Sequence, residues 1–207
     1  MGIDRRSLGQ AIAGAAVLAA APGLGMAGSL PTDDRVLGNA RARVTVIEYA
    51  SITCPHCARW HAEVWPSFRA RYVDTGKVRF VLRELPTEPA AVAAAGFMVA
   101  RCAPAAKYYD VVDALFEGQE AWLQSQDLRG WLTTAGARGG LTPAQVEACA
   151  LSREGVAALN ARVNRNLTID TQVSSTPTFL INGAMLVGEQ SLEALDAAIQ
   201  PLLRGRR

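Results

Sequence analysis

The run EYASITCPHCARWH, residues 48–61, constrains the fold most, because two cysteines separated by Pro and His stand at the junction of two structural patterns. Before them, VTVIEYA at 44–50 is β-branched and almost continuously apolar, as in a strand buried on both faces of a sheet. After them, apolar residues recur at helical spacing up to Gly76, and Pro66 inside this run should kink or split the helix. A second strand-like run, KVRFVLREL, occupies 77–85. The order predicts a βαβ unit with parallel strands.

The cysteine pair has the features of a redox centre. If the helix begins there, Cys54 is its N-cap and Pro55 takes the first helical position, where a missing N–H costs nothing. The backbone N–H groups of His56 and Cys57 and the positive end of the helix dipole then stabilise a thiolate at Cys54. A protonated His56 would add a second positive charge. Cys57 lies on the same helical face within disulfide reach, and a stabilised thiolate makes the disulfide a strong oxidant.

Two other uses of these cysteines remain open. Cys54, Cys57 and His61 match the spacing C-x2-C-x3-H of three zinc ligands, but the chain has only 2 histidines and no second close cysteine pair. A plain structural disulfide is the other alternative, although a bridge across so short a loop removes little entropy from the unfolded chain. We favour the redox interpretation and predict no metal site. We assign His61 no other role, and nothing in the sequence requires a cofactor.

Residues 1–27 have the pattern of an export signal. Arg5 and Arg6 precede a long uncharged stretch of mostly Ala and Gly, which is broken by Pro22. The stretch lacks the roughly 20 strongly apolar residues of a membrane-spanning helix. We therefore expect a cleaved signal rather than an anchor, and the frayed helix of a cytosolic protein is the least favoured alternative. The paired arginines are also typical of twin-arginine signals, so the export route stays open between two systems.

The remaining chain, residues 28–207, is predicted to be one α/β domain with a helical insertion at about 88–173. Helical signals recur throughout that insertion, for example the capping sequence TPAQ that starts at Thr142. The chain then returns to β structure in TPTFLING and AMLVG, where Asn182 and Gly183 supply a two-residue hairpin turn. An amphipathic helix closes the chain.

Composition and charge limit the classes of function. The 207 residues, 50% of them hydrophobic, are enough for one well-buried core but too few for two large domains. The 21 Lys and Arg are balanced by 19 Asp and Glu spread along the chain, so no nucleic-acid partner is expected. In an exported protein, Cys102 and Cys149 are expected to form a structural disulfide. Two buried free cysteines in a helical core are the alternative.

EYASITCPHCARWH followed far downstream by STPTFLING resembles the DsbA-type branch of the thioredoxin-fold thiol:disulfide oxidoreductases. The resemblance covers roughly residues 34–203. The tetrapeptide C-P-H-C matches the active site of that family, and the helical insertion before the T-P segment matches its architecture. The resemblance implies a thioredoxin-like fold with an inserted α-helical domain. It also implies that Cys54 forms the mixed disulfide with substrate, that Cys57 resolves it, and that His56 tunes the thiolate.

The resemblance adds a substrate-binding segment downstream. Pro177, preceded by Thr176, matches the cis-proline that the family places beside its active site, where the adjoining backbone pairs with substrate peptide. A trans proline that opens an edge strand is the alternative.

The resemblance also adds a buried acid. Glu48 matches an acidic residue that the family carries beneath the sulfurs, from which it would move protons to or from Cys57. A strand-end glutamate that reaches solvent is the alternative. The lysine that usually partners this acid has no evident counterpart, and whether Arg79 or Arg83 replaces it stays open.

Taken together, the sequence predicts a periplasmic oxidase that donates a disulfide to cysteine pairs of newly exported proteins. By resemblance, a quinone-linked membrane partner would reoxidise it. Thr176 stands where some oxidases of the family have Val and isomerases often have Thr, so an isomerase or reductase is the first alternative. A metal-binding protein is a less favoured one. No dimerisation segment fits between the signal and Val44, so we expect a monomer.

Overall fold

A five-stranded sheet forms the centre of the computed structural model, which describes residues 30–205. Its strands are β1 (Val36–Gly38), β2 (Val44–Ala50), β3 (Val78–Glu84), β4 (Thr178–Ile181) and β5 (Ala184–Val187), in the order β1-β3-β2-β4-β5. Strands β2 and β3 run parallel and every other pair is antiparallel. The predicted βαβ unit is therefore confirmed. The expected export signal, residues 1–27, lies outside the described residues.

Helices cover the sheet and fill the long connection between β3 and β4. They are α1 (Pro55–Glu63), α2 (Trp65–Phe68), α3 (Ala90–Cys102), α4 (Tyr108–Ser125), α5 (Leu128–Arg138), α6 (Pro143–Ala150), α7 (Arg153–Ile169) and α8 (Leu192–Arg204), with a π-helical turn at Arg69–Val73 and a 3₁₀ turn at Ala105–Lys107. The helices α3 to α7 all lie between β3 and β4. Within residues 30–205, no helix is long and apolar enough to cross a membrane.

Local signals in the sequence place the ends of several helices. Thr142 and Gln145 form a reciprocal capping box at the start of α6, and Ser191 caps α8 by accepting from the backbone N–H of Ala194. The helix that begins after Cys54 ends at Glu63 with Val64 as its C-cap, and the chain restarts as α2 with Pro66 in its first turn. Pro66 thus splits the helical run as predicted, because proline lacks the N–H that would continue the first helix.

Strand β2 lies in the middle of the sheet and places its side chains alternately on two faces. Val46 and Ala50 point into the main core, whereas Tyr49 belongs to a smaller cluster with Val173 and Leu180 on the other face. The same alternation puts Glu48 on the main-core side, where it is 0% exposed. A carboxyl group is thereby carried into the largest apolar cluster of the molecule.

The segment before β2 contains a strand that its sequence does not indicate. LPTDDRVLGNARAR, residues 30–43, is polar and turn-prone, as in a linker or lead-in, but it contains the edge strand β1, in which Leu37 pairs with Phe80 of β3. The strand ends at Gly38, whose φ of +85° suits glycine. A three-residue strand is too short to show a periodic pattern, and its conformation depends on pairing with β3.

Candidate active site

The N-terminus of α1 holds Cys54 in the position that the sequence predicts. Cys54 is the N-cap, in extended conformation, and Pro55 is the first helical residue. The Cys54 side chain is 8% exposed, whereas Cys57 is fully buried. Both cysteines are free, and the Cys54 Sγ lies 3.4 Å from the backbone carbonyl oxygen of Thr176. The two sulfurs therefore share a site but differ in access to solvent.

The pKa values of the two thiols are shifted in opposite directions. The pKa of Cys54 is lowered from 9.0 to about 5, chiefly by the hydrogen bond from the Cys57 side chain, with further hydrogen bonds from the Thr176 side chain and from backbone N–H groups of α1; burial opposes this. Burial raises the pKa of Cys57 far above its ordinary value, and the negative charges of Cys54 and Glu48 raise it further. At neutral pH the pair therefore holds one thiolate, at Cys54, and one proton, on Cys57.

The Thr176–Pro177 segment leads into β4 and lies against the sulfurs. The peptide bond between the two residues is cis, and Pro177 is buried. The carbonyl of Pro177 accepts from the backbone N–H of Gly188, which ties the segment to the end of β5. The carbonyl of Thr176 faces Cys54. The hairpin β4–β5 thus brings residues more than 120 positions downstream to the start of α1.

His56 is exposed and is paired with a residue that the sequence did not indicate. Its Nδ1 lies 2.5 Å from Oε1 of Glu189, in the segment after β5, and Arg59 Nη1 lies 3.4 Å from the same oxygen. The Glu189 carboxylate therefore contacts two side chains of α1 beside the candidate active site. Only the fold brings Glu189 to the active site, since it is 133 positions away from His56 in the chain.

Beneath the sulfurs, Glu48 and His61 form a buried pair. The imidazole Nε2 lies 3.0 Å from Oε2 and 3.2 Å from Oε1 of Glu48. Since Glu48 is 0% exposed, the alternative of a solvent-reaching glutamate is wrong. His61, for which the sequence indicates no role outside a zinc site, is 6% exposed. A usable signal was present, because His61 follows Cys57 by four residues and so shares its helical face.

The partner of Glu48 in this structure is therefore an imidazole. Arg83 instead pairs with Asp34 at 3.0 Å and with Asp170 at 2.6 Å, and joins the N-terminal segment to the end of α7. Arg79 Nε donates to the Thr45 hydroxyl at 2.6 Å. Within residues 30–205, no three His, Cys, Asp or Glu side chains are grouped as metal ligands.

The second cysteine pair lies in the helical insertion. Cys102, at the end of α3, is bonded to Cys149 in α6, with an S–S distance of 2.05 Å and a Cα–Cα distance of 6.3 Å. The bridge spans 47 positions and links two helices that pack side by side. Cys102 is exposed and Cys149 half-buried, so the alternative of two buried free cysteines is wrong.

Comparisons with known proteins point to one family. The thioredoxin family model matches residues 31–201. A protein of Rickettsia conorii named a "putative protein-disulfide oxidoreductase" is 31% identical over 176 residues, which are 84% of this chain and 62% of that relative. This chain thus spans less than two thirds of the length of that relative.

Solved structures share the fold. α-DsbA1 of Wolbachia pipientis matches with a TM-score of 0.73 and 24% identity, over 84% of this chain and 92% of that one. Oxidised BdbD of Bacillus subtilis matches with a TM-score of 0.68 and 21% identity, over 83% and 94% respectively. The thioredoxin-like α/β fold with its helical insertion, which the sequence resemblance implied, agrees with these structures.

Proposed function

We propose that this chain, which belongs to the thioredoxin family, is an exported thiol:disulfide oxidase that donates a Cys54–Cys57 disulfide to cysteine pairs of newly exported proteins. The observation that carries the proposal is the opposed acidity of the two sulfurs at the start of α1, with a pKa of about 5 at Cys54 and a strongly raised one at Cys57. Such a pair favours its reduced form and hence oxidises other thiols. The name of the Rickettsia relative supports the same chemistry.

Disulfide donation proceeds in two exchange steps. A substrate thiolate attacks the Cys54 sulfur, a mixed disulfide forms, and the bond to Cys57 breaks. Cys57 leaves with the electron pair and takes up a proton, because its buried site disfavours the thiolate. The second substrate thiolate then attacks the substrate sulfur of the mixed disulfide. Cys54 leaves as a thiolate, and its low pKa makes it a good leaving group.

The electrons and protons balance over the cycle. Two substrate thiols lose two electrons, which reside on Cys54 and Cys57 after the second step. Of the two substrate protons, one corresponds to the proton on Cys57 and the other is released to solvent. A quinone-linked membrane partner accepts the two electrons when the disulfide is restored, and Cys57 then gives up its proton. The export pattern in residues 1–27 supports a periplasmic location for this cycle.

The Thr176–Pro177 segment supplies the substrate-binding edge. Its position beside Cys54 lets an extended substrate peptide lie against it while the peptide's cysteine reaches the sulfur. The hydroxyl of Thr176 is compatible with isomerase or reductase activity of the same fold. We favour the oxidase because the acidity of Cys54 stabilises the reduced state, which a reductase would need to give up readily.

The redox equilibrium of the mature protein against a series of glutathione ratios tests this proposal. An oxidase should equilibrate well above the roughly −270 mV of thioredoxin, toward the about −120 mV of a strong oxidant. Cys54→Ser and Cys57→Ser variants serve as controls and should show no titrating pair. A potential near that of thioredoxin would favour a reductase. A wild-type protein without a titrating pair would contradict the redox function itself and direct attention to metal binding.

A further inference from the structure

A groove between α1 and α4 reaches the buried pair beneath the sulfurs. It has a volume of about 760 Å³, and its lining includes Ala58, His61, Asp113 and Phe116. The His61 side chain is 3% exposed, and its Nδ1 has no hydrogen-bond partner among the described residues. Buried polar atoms are nearly always partnered, so an unpartnered imidazole nitrogen on the wall of a groove needs a physical explanation.

The imidazole is held rigidly in its place. Its ring stacks on Phe116 with 4.0 Å between the ring centroids and 20° between the planes. The ring centroid of Trp65 lies 5.5 Å from that of the imidazole. Nε2 contacts the carboxylate of Glu48, as described above. Nε2 therefore faces Glu48, whereas Nδ1, which is itself buried, faces Asp113 at the edge of the groove.

Asp113 marks the groove end of this arrangement. Its Oδ1 lies 4.0 Å from Nδ1 of His61, and its side chain is 18% exposed. The indole N–H of Trp65 donates to Oδ1 at 3.1 Å, and Arg69 donates to Oδ2 at 3.2 Å. Burial raises the pKa of Asp113, and electrostatic interactions with His61 and Arg69 oppose this. Glu117, one turn further along α4, is the other charged group that acts on Asp113.

We propose that His61 is a positioning residue that relays one proton between the groove and Glu48 each time Cys57 gains or loses its proton. The proposal rests on the proposed function, because it assigns a route to the proton that disulfide exchange requires. Cys57 and Glu48 are both 0% exposed, so neither can exchange a proton with water directly. The imidazole is the titratable group that contacts Glu48 on one side and lines the groove on the other.

The proton transfers balance over one catalytic cycle. Before the disulfide opens, His61 carries its proton on Nε2 and faces the Glu48 carboxylate. A proton from groove water reaches Nδ1 on the Asp113 side of the ring, the Nε2 proton passes to Glu48, and Glu48 protonates the departing Cys57 thiolate. When the disulfide is restored, Cys57 returns its proton to Glu48, Glu48 protonates Nε2, and Nδ1 releases its proton to the groove. The second half of the cycle thus restores the original tautomer.

Reduction of the Cys54–Cys57 disulfide by dithiothreitol isolates the proton-uptake step. Dithiothreitol supplies both electrons and becomes a cyclic disulfide, so the reaction needs no protein substrate. The rate is measured between pH 5 and 9 for the full chain and for His61→Ala, which opens the imidazole site to the groove. We expect His61→Ala to be slower by about tenfold or more at neutral pH, since general acid catalysis commonly contributes at least that much.

Chemical rescue separates a relay from a packing role. Added imidazole should restore the rate of His61→Ala. Pyrazole should not restore it, because it has the same shape but is far too weak a base to be protonated. Leu123→Ala is the matched control, because Leu123 lines the same groove and is exposed. It should be neither slowed nor rescued. Rescue of His61→Ala by imidazole alone supports the relay. Equal rescue by both compounds, or an unchanged rate in His61→Ala, overturns it.

The same variants distinguish this proposal from the proposed function. The relay is read from dithiothreitol reduction, whereas the oxidase is read from the glutathione equilibrium. If imidazole rescues His61→Ala but the redox potential of the protein is low, the relay is retained and the oxidase is rejected. If the protein is strongly oxidising but imidazole does not rescue the variant, the oxidase is retained and the relay is rejected. The alkylation rate of Cys54 in the reduced variants monitors the N-terminus of α1, and a relay role leaves it unchanged.

Discussion

The two cysteine pairs of this molecule contain the same atoms and behave differently. Cys54 and Cys57 are almost fully buried and are free thiols. Cys102 is exposed, Cys149 is half-buried, and the two are bridged. Exposure is therefore a poor guide to the pair for which we propose electron exchange, since the more accessible pair is the bridged one.

The two pairs differ in how their surroundings affect a negative charge on sulfur. Hydrogen bonds at the start of α1 stabilise one thiolate, and burial near Glu48 destabilises the other. The reduced pair is thus stable as one thiolate and one thiol, and its disulfide is reactive. The bridge between α3 and α6 instead closes a loop of 47 positions, so opening it releases chain entropy in the unfolded state.

The pH dependence of the free thiols gives the largest expected effect. In the reduced protein, the rate of alkylation of Cys54 by iodoacetamide should reach half its maximum near pH 5, instead of near 9 as for an ordinary thiol. The contrast with the second pair is complete, because Cys102 and Cys149 do not react while they are bridged. A midpoint above pH 8 would show that α1 does not stabilise the thiolate.

The same shift makes the stability of the reduced protein depend on pH. Since the folded-state pKa lies below the unfolded one, the thiolate stabilises the fold fully above pH 9 and loses this effect as pH falls through about 5. The contribution is about 5 kcal/mol above pH 9 and about 3 kcal/mol at pH 7. Urea unfolding of the reduced wild type and of Cys54→Ser should therefore converge near pH 5. A constant difference would contradict the assignment.

Removal of the structural bridge is expected to act on stability alone. Replacing Cys102 and Cys149 together by Ala should lower the free energy of unfolding by about 4 kcal/mol, from the entropy of a loop of this length. Urea denaturation of the oxidised protein measures the loss. The alkylation midpoint of Cys54 in the same double variant should stay near 5, because the bridge joins α3 to α6 within the helical insertion. A shifted midpoint would show that the two regions are coupled.

Local signals explain why the sequence predicted so much of this fold. The Cys54–Pro55 start of α1, the Thr142 cap and the Asn182–Gly183 turn each depend on residues a few positions apart. A single sequence displays such signals directly, since the backbone groups involved belong to the same segment. The strand β2 was equally visible, because burial on both faces leaves a continuous apolar run.

Contacts between distant segments were not predictable in the same way. The contact of His56 with Glu189 joins residues 133 positions apart, and β1 exists only through its pairing with β3. His61 is an intermediate case. Its spacing from Cys57 places it on the same face of α1 as that cysteine. Its contact with Glu48 can be predicted only when the position of α1 relative to β2 is known. Local spacing thus gives the face of a helix, and tertiary packing determines the partner.

The smallest expected effect concerns one hydroxyl beside the reactive pair. Thr176→Val removes the side-chain hydrogen bond that helps lower the pKa of Cys54 and keeps the backbone carbonyl and the side-chain shape. A hydrogen bond to a charged group contributes about 1.5 kcal/mol, so the alkylation midpoint should rise by about one pH unit.

The redox potential should follow this change in acidity. A higher pKa at Cys54 destabilises the reduced form, so the potential should fall by about 30 mV for a tenfold change in the equilibrium constant. Thr53→Val is the matched control, because Thr53 precedes Cys54 but directs its hydroxyl to the carbonyl of Thr87 at 3.0 Å. It should leave the midpoint unchanged. Equal shifts in both variants would mean that the site responds to general packing, and that the Thr176 hydroxyl does not act on the sulfur itself.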